Sequence, residues 1–151
     1  GFKMAPFYGC YIVRPSAALG FDENPDRKGA LEKVIETVGA EVVDYSGKTA
    51  CCGFPILLTN EKNSVKMVGK HTVDAKNRGA DLMVTPCPLC HLNLDGYQPS
   101  ASSMRREMID LPVLHLPQML GLAMGIDPKD MLLSRHIVST KKFISEMAVS
   151  P

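Results

Sequence analysis

The residues best suited to chemistry in this sequence are its five cysteines: Cys10, the adjacent pair Cys51-Cys52, and Cys87-x-x-Cys90. Forty residues separate Cys10 from the pair, and 34 separate the pair from Cys87. Four chemistries compete. Inert burial is the plain one, since cysteine is among the most buried residue types. An adjacent pair and a Cys-x-x-Cys beside Gly9, Gly53, Pro86 and Pro88 make poor core material, however. A disulfide framework conflicts with the odd count and with the lack of any visible export signal. A thioredoxin-like pair at Cys87 and Cys90, after a strand and at a helix start, has its thiol pKa lowered by the helix dipole, but it leaves three cysteines idle. Metal or iron–sulfur ligation uses all five. Thiolates select zinc or iron–sulfur over hard cations. Four complete a tetrahedral zinc site or a four-iron cube. The fifth, in an adjacent pair, suits a multi-iron cluster of irregular shape, so iron–sulfur stands ahead of zinc. The neighbouring glycines and prolines free or fix the backbone for close approach, and Gly53 adds an unshielded N–H for a cluster sulfur.

The elements that must position these sulfurs alternate between strands and helices. Strands are predicted at Lys3 to Tyr8, Glu41 to Asp44, Asp81 to Thr85 and Pro112 to Leu116. A first helix follows the Asn24-Pro25 start signal, buries Leu31, Val34, Ile35 and Val38, and stops at Gly39. A second starts at Asn60, places Val65, Val68, Thr72 and Ala75 on one face, and ends at Arg78-Gly79. A short helix runs from the Cys87–Cys90 motif to Tyr97, and Gln98 to Arg106 reads as a polar loop or helix start. Pro117 opens an apolar helix closed by Gly125, Asp127-Pro128 starts a short one, and Ser139 to Met147 forms a last helix. The pattern predicts an α/β fold: a parallel-stranded sheet with helices on both faces. Cys10, Cys51-Cys52 and Cys87 then sit at the C-terminal ends of strands, where ligands bind in open parallel sheets. Three distant cysteine groups are thereby expected to converge on one crevice.

Composition narrows the classes further. The 151 residues are 45% hydrophobic and 22% charged, which excludes a disordered chain, a collagen or a coiled coil. Seventeen basic against 16 acidic residues give a net charge of +1, too balanced to attract nucleic acid or anionic lipid by a global field. No apolar run is long enough for a membrane span. The odd cysteine count and the lack of a visible export signal fit a reduced, cytoplasmic setting. With no internal repeat or linker, residues 1–151 form a single domain in which 126–151 are peripheral C-terminal helices. The initial Gly1 reads as a processed end or as a piece of a longer protein.

The cysteine pattern with its flanks carries a resemblance. Phe7-Tyr8-Gly9-Cys10, Arg14-Pro15, Cys51-Cys52-Gly53-Phe54-Pro55, Thr85-Pro86-Cys87-Pro88-Leu89-Cys90 and Pro112-Val113-Leu114-His115-Leu116-Pro117-Gln118 resemble the cysteine-rich CCG domain of the heterodisulfide reductase B-type subunits, over about residues 3 to 125. The resemblance implies one CCG domain, the second of two in a longer polypeptide. It implies a noncubane [4Fe-4S] cluster held by Cys10, Cys51, Cys52, Cys87 and Cys90. It also implies reduction of a disulfide of the CoM-S-S-CoB type, with electrons from two partners, a C-type iron–sulfur subunit and an A-type flavin subunit. An isolated domain lacks the two-cluster pocket and is expected to be inactive. Two other functions share the same residues: an electron-transfer module of a quinone-linked or sulfur-oxidising complex, and a zinc-binding structural domain.

Among the remaining candidates, His91 follows Cys90 directly and is either a helix-surface residue or a proton source for a leaving thiolate. Arg14 and Lys48 lie near the predicted cysteine edge and suit an anionic substrate group or the compensation of cluster charge. His115 reads as a core or strand-end histidine, and His71 and His136 read as helix-face residues. No Gly-x-Gly-x-x-Gly or Ser-His-Asp context is present.

Overall fold

The computed structural model describes residues 1–20 and 23–149. The final two residues of the predicted C-terminal segment therefore lie outside it. Four parallel strands form one sheet: β1 (Lys3–Pro6), β2 (Glu41–Val42), β3 (Leu82–Thr85) and β4 (Val113–His115), in the order β2-β1-β3-β4. Met4 stands opposite both Val42 and Leu82, and Met83 opposite Val113. The chain moves outward from β1 to β2, then crosses back over β1 to β3. With right-handed crossovers, that reversal requires the two connecting helices to lie on opposite faces.

They do. Strand side chains alternate by face. Ala5, Phe7, Met83 and Val113 share one buried cluster with Val65, Val68 and Ala75 of α2 (Glu61–Asn77), Leu94 of α3 (Pro88–Gly96) and Ala101 of α4 (Gln98–Arg105). Met4, Tyr8, Leu82, Val84 and Leu114 face the other way. They pack on Leu31 and Ile35 of α1 (Ala30–Thr37), Met119 and Leu122 of α5 (Leu116–Ala123) and Phe143 of α6 (Lys141–Val149). The α/β fold with helices on both faces is thus the one the sequence pattern predicts. Among the described residues no helix is long and apolar enough to cross a membrane.

Three segments depart from the sequence reading. The Gln98–Arg105 stretch is a full helix despite its polarity. Buried Gln98 makes this possible: its Nε2 donates to the Leu94 and Leu111 carbonyls (2.9 and 2.8 Å), and its Oε1 accepts from the Leu111 N–H at 3.0 Å. A satisfied buried amide packs like an apolar residue. The Asp127-Pro128 start yields only a turn, followed by a 3-10 turn at Leu133–Arg135. The C-terminal segment, expected to be peripheral, sends Leu133, Val138 and Phe143 into the interior, where the Phe143 ring meets Phe2 edge-on at 4.7 Å.

The buried Asp95 carboxylate at the end of α3 fastens that segment, accepting from the backbone N–H groups of Ile137 (2.8 Å) and Val138 (3.1 Å). Asp95→Ala is expected to leave both N–H groups without this charged acceptor and to lower the unfolding free energy by about 2–4 kcal/mol. Urea unfolding of the two proteins checks this, and a difference below about 0.5 kcal/mol would contradict the anchoring role.

Candidate metal centre

The reversal of chain direction between β1 and β3 makes their C-terminal ends a topological switch point, where such sheets open a crevice. Cys10 lies four residues beyond β1, and Cys87 two residues beyond β3 at the N-cap of α3. Cys90 occupies the first turn of that helix, behind Pro88. The adjacent pair is placed differently from the sequence expectation. It does not directly follow a strand, because β2 ends at Val42 and eight residues, 43–50, lead to Cys51. Backbone pairing of the Tyr8 N–H with the Lys48 carbonyl (2.7 Å) turns that loop toward the end of β1.

The charges of Cys51 and Cys52 act on the Cys10 thiol, and those of Cys52 and Cys87 on the Cys90 thiol, so the three cysteine loops influence one another's acidities. Cys52, Cys87 and Cys90 are buried, whereas Cys10 and Cys51 are partly exposed. Shared protons set the acidities. The hydrogen bond from Cys90 pushes the Cys52 thiol down to about 7. Donating to Cys52, and then burial, push the Cys90 thiol far up. Burial, followed by the charge of Cys51, raises the Cys10 thiol.

Glycine makes this convergence sterically possible at two points. A Cβ at Gly9 (φ 72°) would lie 2.6 Å from the Cys90 sulfur. A Cβ at Gly53 (φ 95°) would lie 2.9 Å from both Cα and Oγ of Ser64 on α2. Gly53 also directs its N–H at the Cys51 sulfur (3.4 Å), and Phe54 its N–H at the Cys52 sulfur (3.5 Å). The unshielded N–H expected from the sequence is therefore aimed at a cysteine sulfur.

Two further residues, not recognised in the sequence, hold the pair from behind. Nε2 of His71 contacts the Cys51 carbonyl at 3.0 Å and must donate to it. Burial lowers the pKa of this imidazole. Asn93 donates through Nδ2 to the Cys52 carbonyl (2.8 Å) and to Ser64 Oγ (3.2 Å), while its Oδ1 has no partner among the described residues. Both left a signal. His71 falls three residues after Val68, on the buried stripe of α2, and Asn93 repeats the Cys87–Cys90 spacing once more along α3. His71 is therefore buried rather than a helix-face residue.

The other candidates are distributed around this centre. His91 turns Nε2 to the Val113 carbonyl (3.1 Å) and stacks on His136 (4.8 Å) and His115 (6.0 Å), and burial lowers its pKa. It braces α3 against β4. His115 sits at the end of β4, with Nε2 3.2 Å from the Pro86 carbonyl. His136 lies outside any helix, 3.0 Å from Gln118 Nε2. Lys48 is engaged by Glu32 (2.9 Å) and Asp44 (2.8 Å). Arg14 stays at the mouth, lining with Cys10, Tyr11, Pro15 and Pro55 an open cleft of about 720 Å³. Among the described residues no group of three or more histidine, cysteine, aspartate or glutamate side chains stands ready to hold a metal ion.

A parallel α/β domain with cysteines beyond the strand ends at its switch point defines a class of cysteine-rich domain. The chain belongs to the CCG cysteine-rich domain family, whose profile matches residues 4–95. It is 37% identical, over 140 residues, to the membrane anchor subunit of the 8-methylmenaquinol:fumarate reductase of Wolinella succinogenes, covering 93% of this chain and 49% of that protein. It is 32% identical, over 150 residues, to the B-type subunit of the ferredoxin:CoB-CoM heterodisulfide reductase of Methanosarcina mazei, covering 96% and 49%. A protein of Archaeoglobus profundus described as similar to the heterodisulfide reductase B-type subunit is 33% identical over 132 residues, covering 85% and 44%. The chain thus spans about half the length of the curated relatives it matches, and those relatives are oxidoreductase subunits.

Two outcomes check this geometry. In the reduced, metal-free chain a thiol reagent should modify two cysteines quickly, Cys10 and Cys51, and three slowly; five equal rates would contradict the burial pattern. Gly53→Ala should destabilise the fold well beyond the roughly 1–2 kcal/mol of a left-handed alanine, because it also meets the α2 backbone. Gly79→Ala, with φ 90° and open space around the site, should cost only that amount in the same denaturation assay.

Proposed function

We propose that this chain is one CCG domain of a longer two-domain polypeptide, and that Cys10, Cys51, Cys52, Cys87 and Cys90 hold a noncubane [4Fe-4S] cluster in a disulfide-reducing enzyme of the heterodisulfide reductase type. The observation that supports the reading is the approach of the Gly9 backbone, at the end of β1, to the Cys90 sulfur beyond β3, beside which the Cys10 and Cys52 thiols interact with their cysteine neighbours. The donor set fits an iron–sulfur group: it is all sulfur, it exceeds four, and backbone N–H groups already point at two of the sulfurs. Such a cluster supplies one-electron redox chemistry at sulfur when bound.

The chain's own residues do the rest. Gly9 and Gly53 leave room, His71 and Asn93 fix the carbonyls of the pair, and buried packing around Cys52, Cys87 and Cys90 excludes water. The cleft beside Cys10 gives a small disulfide or thiol access, with Arg14 available to an anionic group on it. The other components of such a complex, an iron–sulfur protein and a flavoprotein, would deliver electrons. A second reading keeps the same ligands but makes the domain an electron-transfer module of a quinone-linked complex. Its support is the 37% identity to the membrane anchor protein of the methylmenaquinol:fumarate reductase.

Anaerobic reconstitution tests the proposal. Wild-type protein should take up about four irons and as many sulfides, and addition of a candidate thiol to the oxidised protein should produce a new EPR signal. Cys51→Ser and Cys52→Ser should each lose the cluster or strongly alter its spectrum. One zinc with no iron, or unchanged spectra in both serine variants, would overturn the five-ligand assignment. A normal cluster indifferent to every thiol and disulfide favours the electron-transfer reading.

A further inference from the structure

His136 stands in extended backbone between the Leu133–Arg135 turn and α6, where the C-terminal segment meets α3 and α5. Gln118 of α5 fixes its protonation state. Oε1 of that amide accepts from the His115 N–H at 3.0 Å, and Nε2 donates to the Met131 carbonyl at 3.0 Å. Turning the amide over would set its oxygen against the Met131 carbonyl and its NH2 against the His115 N–H, so two backbone partners hold it in one orientation. Nε2 of Gln118 also lies 3.0 Å from Nε2 of His136. An amide N–H can donate only to an unprotonated ring nitrogen. His136 must therefore be neutral, with its proton on Nδ1.

The surroundings favour the neutral ring. Nδ1 is buried and has no hydrogen-bond partner among the described residues. Burial lowers the pKa of His136, against the opposing pull of the Asp95 carboxylate and the Val113 carbonyl. The charged or titratable groups of this corner are Asp95 and His91 on α3, His115 at the end of β4 and Arg135 on the same segment, while α5 presents the uncharged Gln118. The His91 ring meets that of His136 edge-on at 4.8 Å, and a charge on His136 lowers the pKa of His91 in turn. Asp95 takes the next two backbone N–H groups, of Ile137 and Val138. Residues 136–138 are thus clasped from α5 and α3 at once.

We infer that His136 is an acid-sensitive latch on the C-terminal segment. Neutral, it accepts from Gln118 and holds residues 131–138 against α3 and α5. Protonated, its Nε2–H meets the Gln118 N–H, donor to donor, and the clasp opens. Opening bares Leu133 and Val138 and frees the far end of α3, the helix whose first turn carries Cys90. A ring whose pKa is lower in the closed state than in the open one binds fewer protons when closed. Closure is therefore complete above the ordinary histidine pKa of about 6.5 and is lost as pH falls below it. The inference stands apart from the cluster reading.

NMR of protein carrying isotope-labelled histidine is expected to show His136 above that pKa as the neutral Nδ1–H tautomer; a cation or the Nε2–H tautomer would overturn the inference. Hydrogen exchange at the Ile137 and Val138 amides, corrected for its intrinsic pH dependence, is then compared between about pH 7.5 and about pH 5.5, a window above ordinary carboxylate titration. Protection in the wild type should fall several-fold. His136→Gln keeps an uncharged acceptor at both pH values and should hold its protection. Wild-type protection that stays constant, or that falls equally in His136→Gln, contradicts the latch. Gln118→Glu sets a carboxylate against the protonated ring, so it should move the His136 titration upward and carry closure to lower pH. That readout remains if His136→Gln folds poorly, and an unmoved titration contradicts the latch as well.

Discussion

The structure depends on one close approach: the backbone at the end of β1 runs directly against the Cys90 sulfur, with no room for a side chain between them. Sulfur is a large atom, and five of them must fit where two strand ends and a helix N-terminus converge. The fold finds that volume by deleting side chains at Gly9 and Gly53 rather than by opening a cavity. Each glycine also takes a left-handed φ that other residues adopt at a cost. The same two positions therefore satisfy a backbone requirement and a packing requirement. The Cys-Cys-Gly motif, read this way, has one glycine that turns the chain, presses it onto α2 and aims an N–H at sulfur.

The sheet order explains why these sulfurs lie where they do. Because β1 sits between β2 and β3, its C-terminal end faces loops from both directions of the chain. The loop after β1 supplies Cys10, and the turn after β3 supplies Cys87 and Cys90. The route from β2 is longer, and it is held at several points. Lys48 pairs its backbone with Tyr8 and its side chain with Glu32 and Asp44, while His71 and Asn93 grip the two cysteine carbonyls. A loop anchored so fully holds its thiols in place by itself, which would lower the entropy that binding any ligand there must overcome.

The helices on the two faces do different work. Those packed with the cysteines, α2 and α3, contribute the buried polar groups His71, Ser64 and Asn93 to the site. The opposite face, covered by α1, α5 and α6, is mainly apolar and fixes the sheet. Around His91, His115 and His136 a ring stack joins α3 to β4 and to the C-terminal segment. Strain or substitution in that stack would reach the Cys87–Cys90 turn through the helix carrying it.

Much of this was legible in the sequence because it follows from periodicity and turn chemistry. The four parallel strands, the α2 face of Val65, Val68, Thr72 and Ala75, and the places of Cys10 and Cys87 beyond the ends of β1 and β3 are consequences of local patterns that few topologies can satisfy. The choice between loop and helix at Gln98–Arg105 was not legible, since it hinges on a glutamine whose partners, Leu94 and Leu111, are fixed only after folding. The same holds for the burial of His71 and Tyr45 and for the capture of Lys48 by Glu32. Sequence determines which residues share an element face and which turns they flank, because those depend on neighbours along the chain. Only tertiary structure decides which polar group finds a partner and which, like the Tyr45 hydroxyl among the described residues, finds none, because partners arrive from elements distant in sequence.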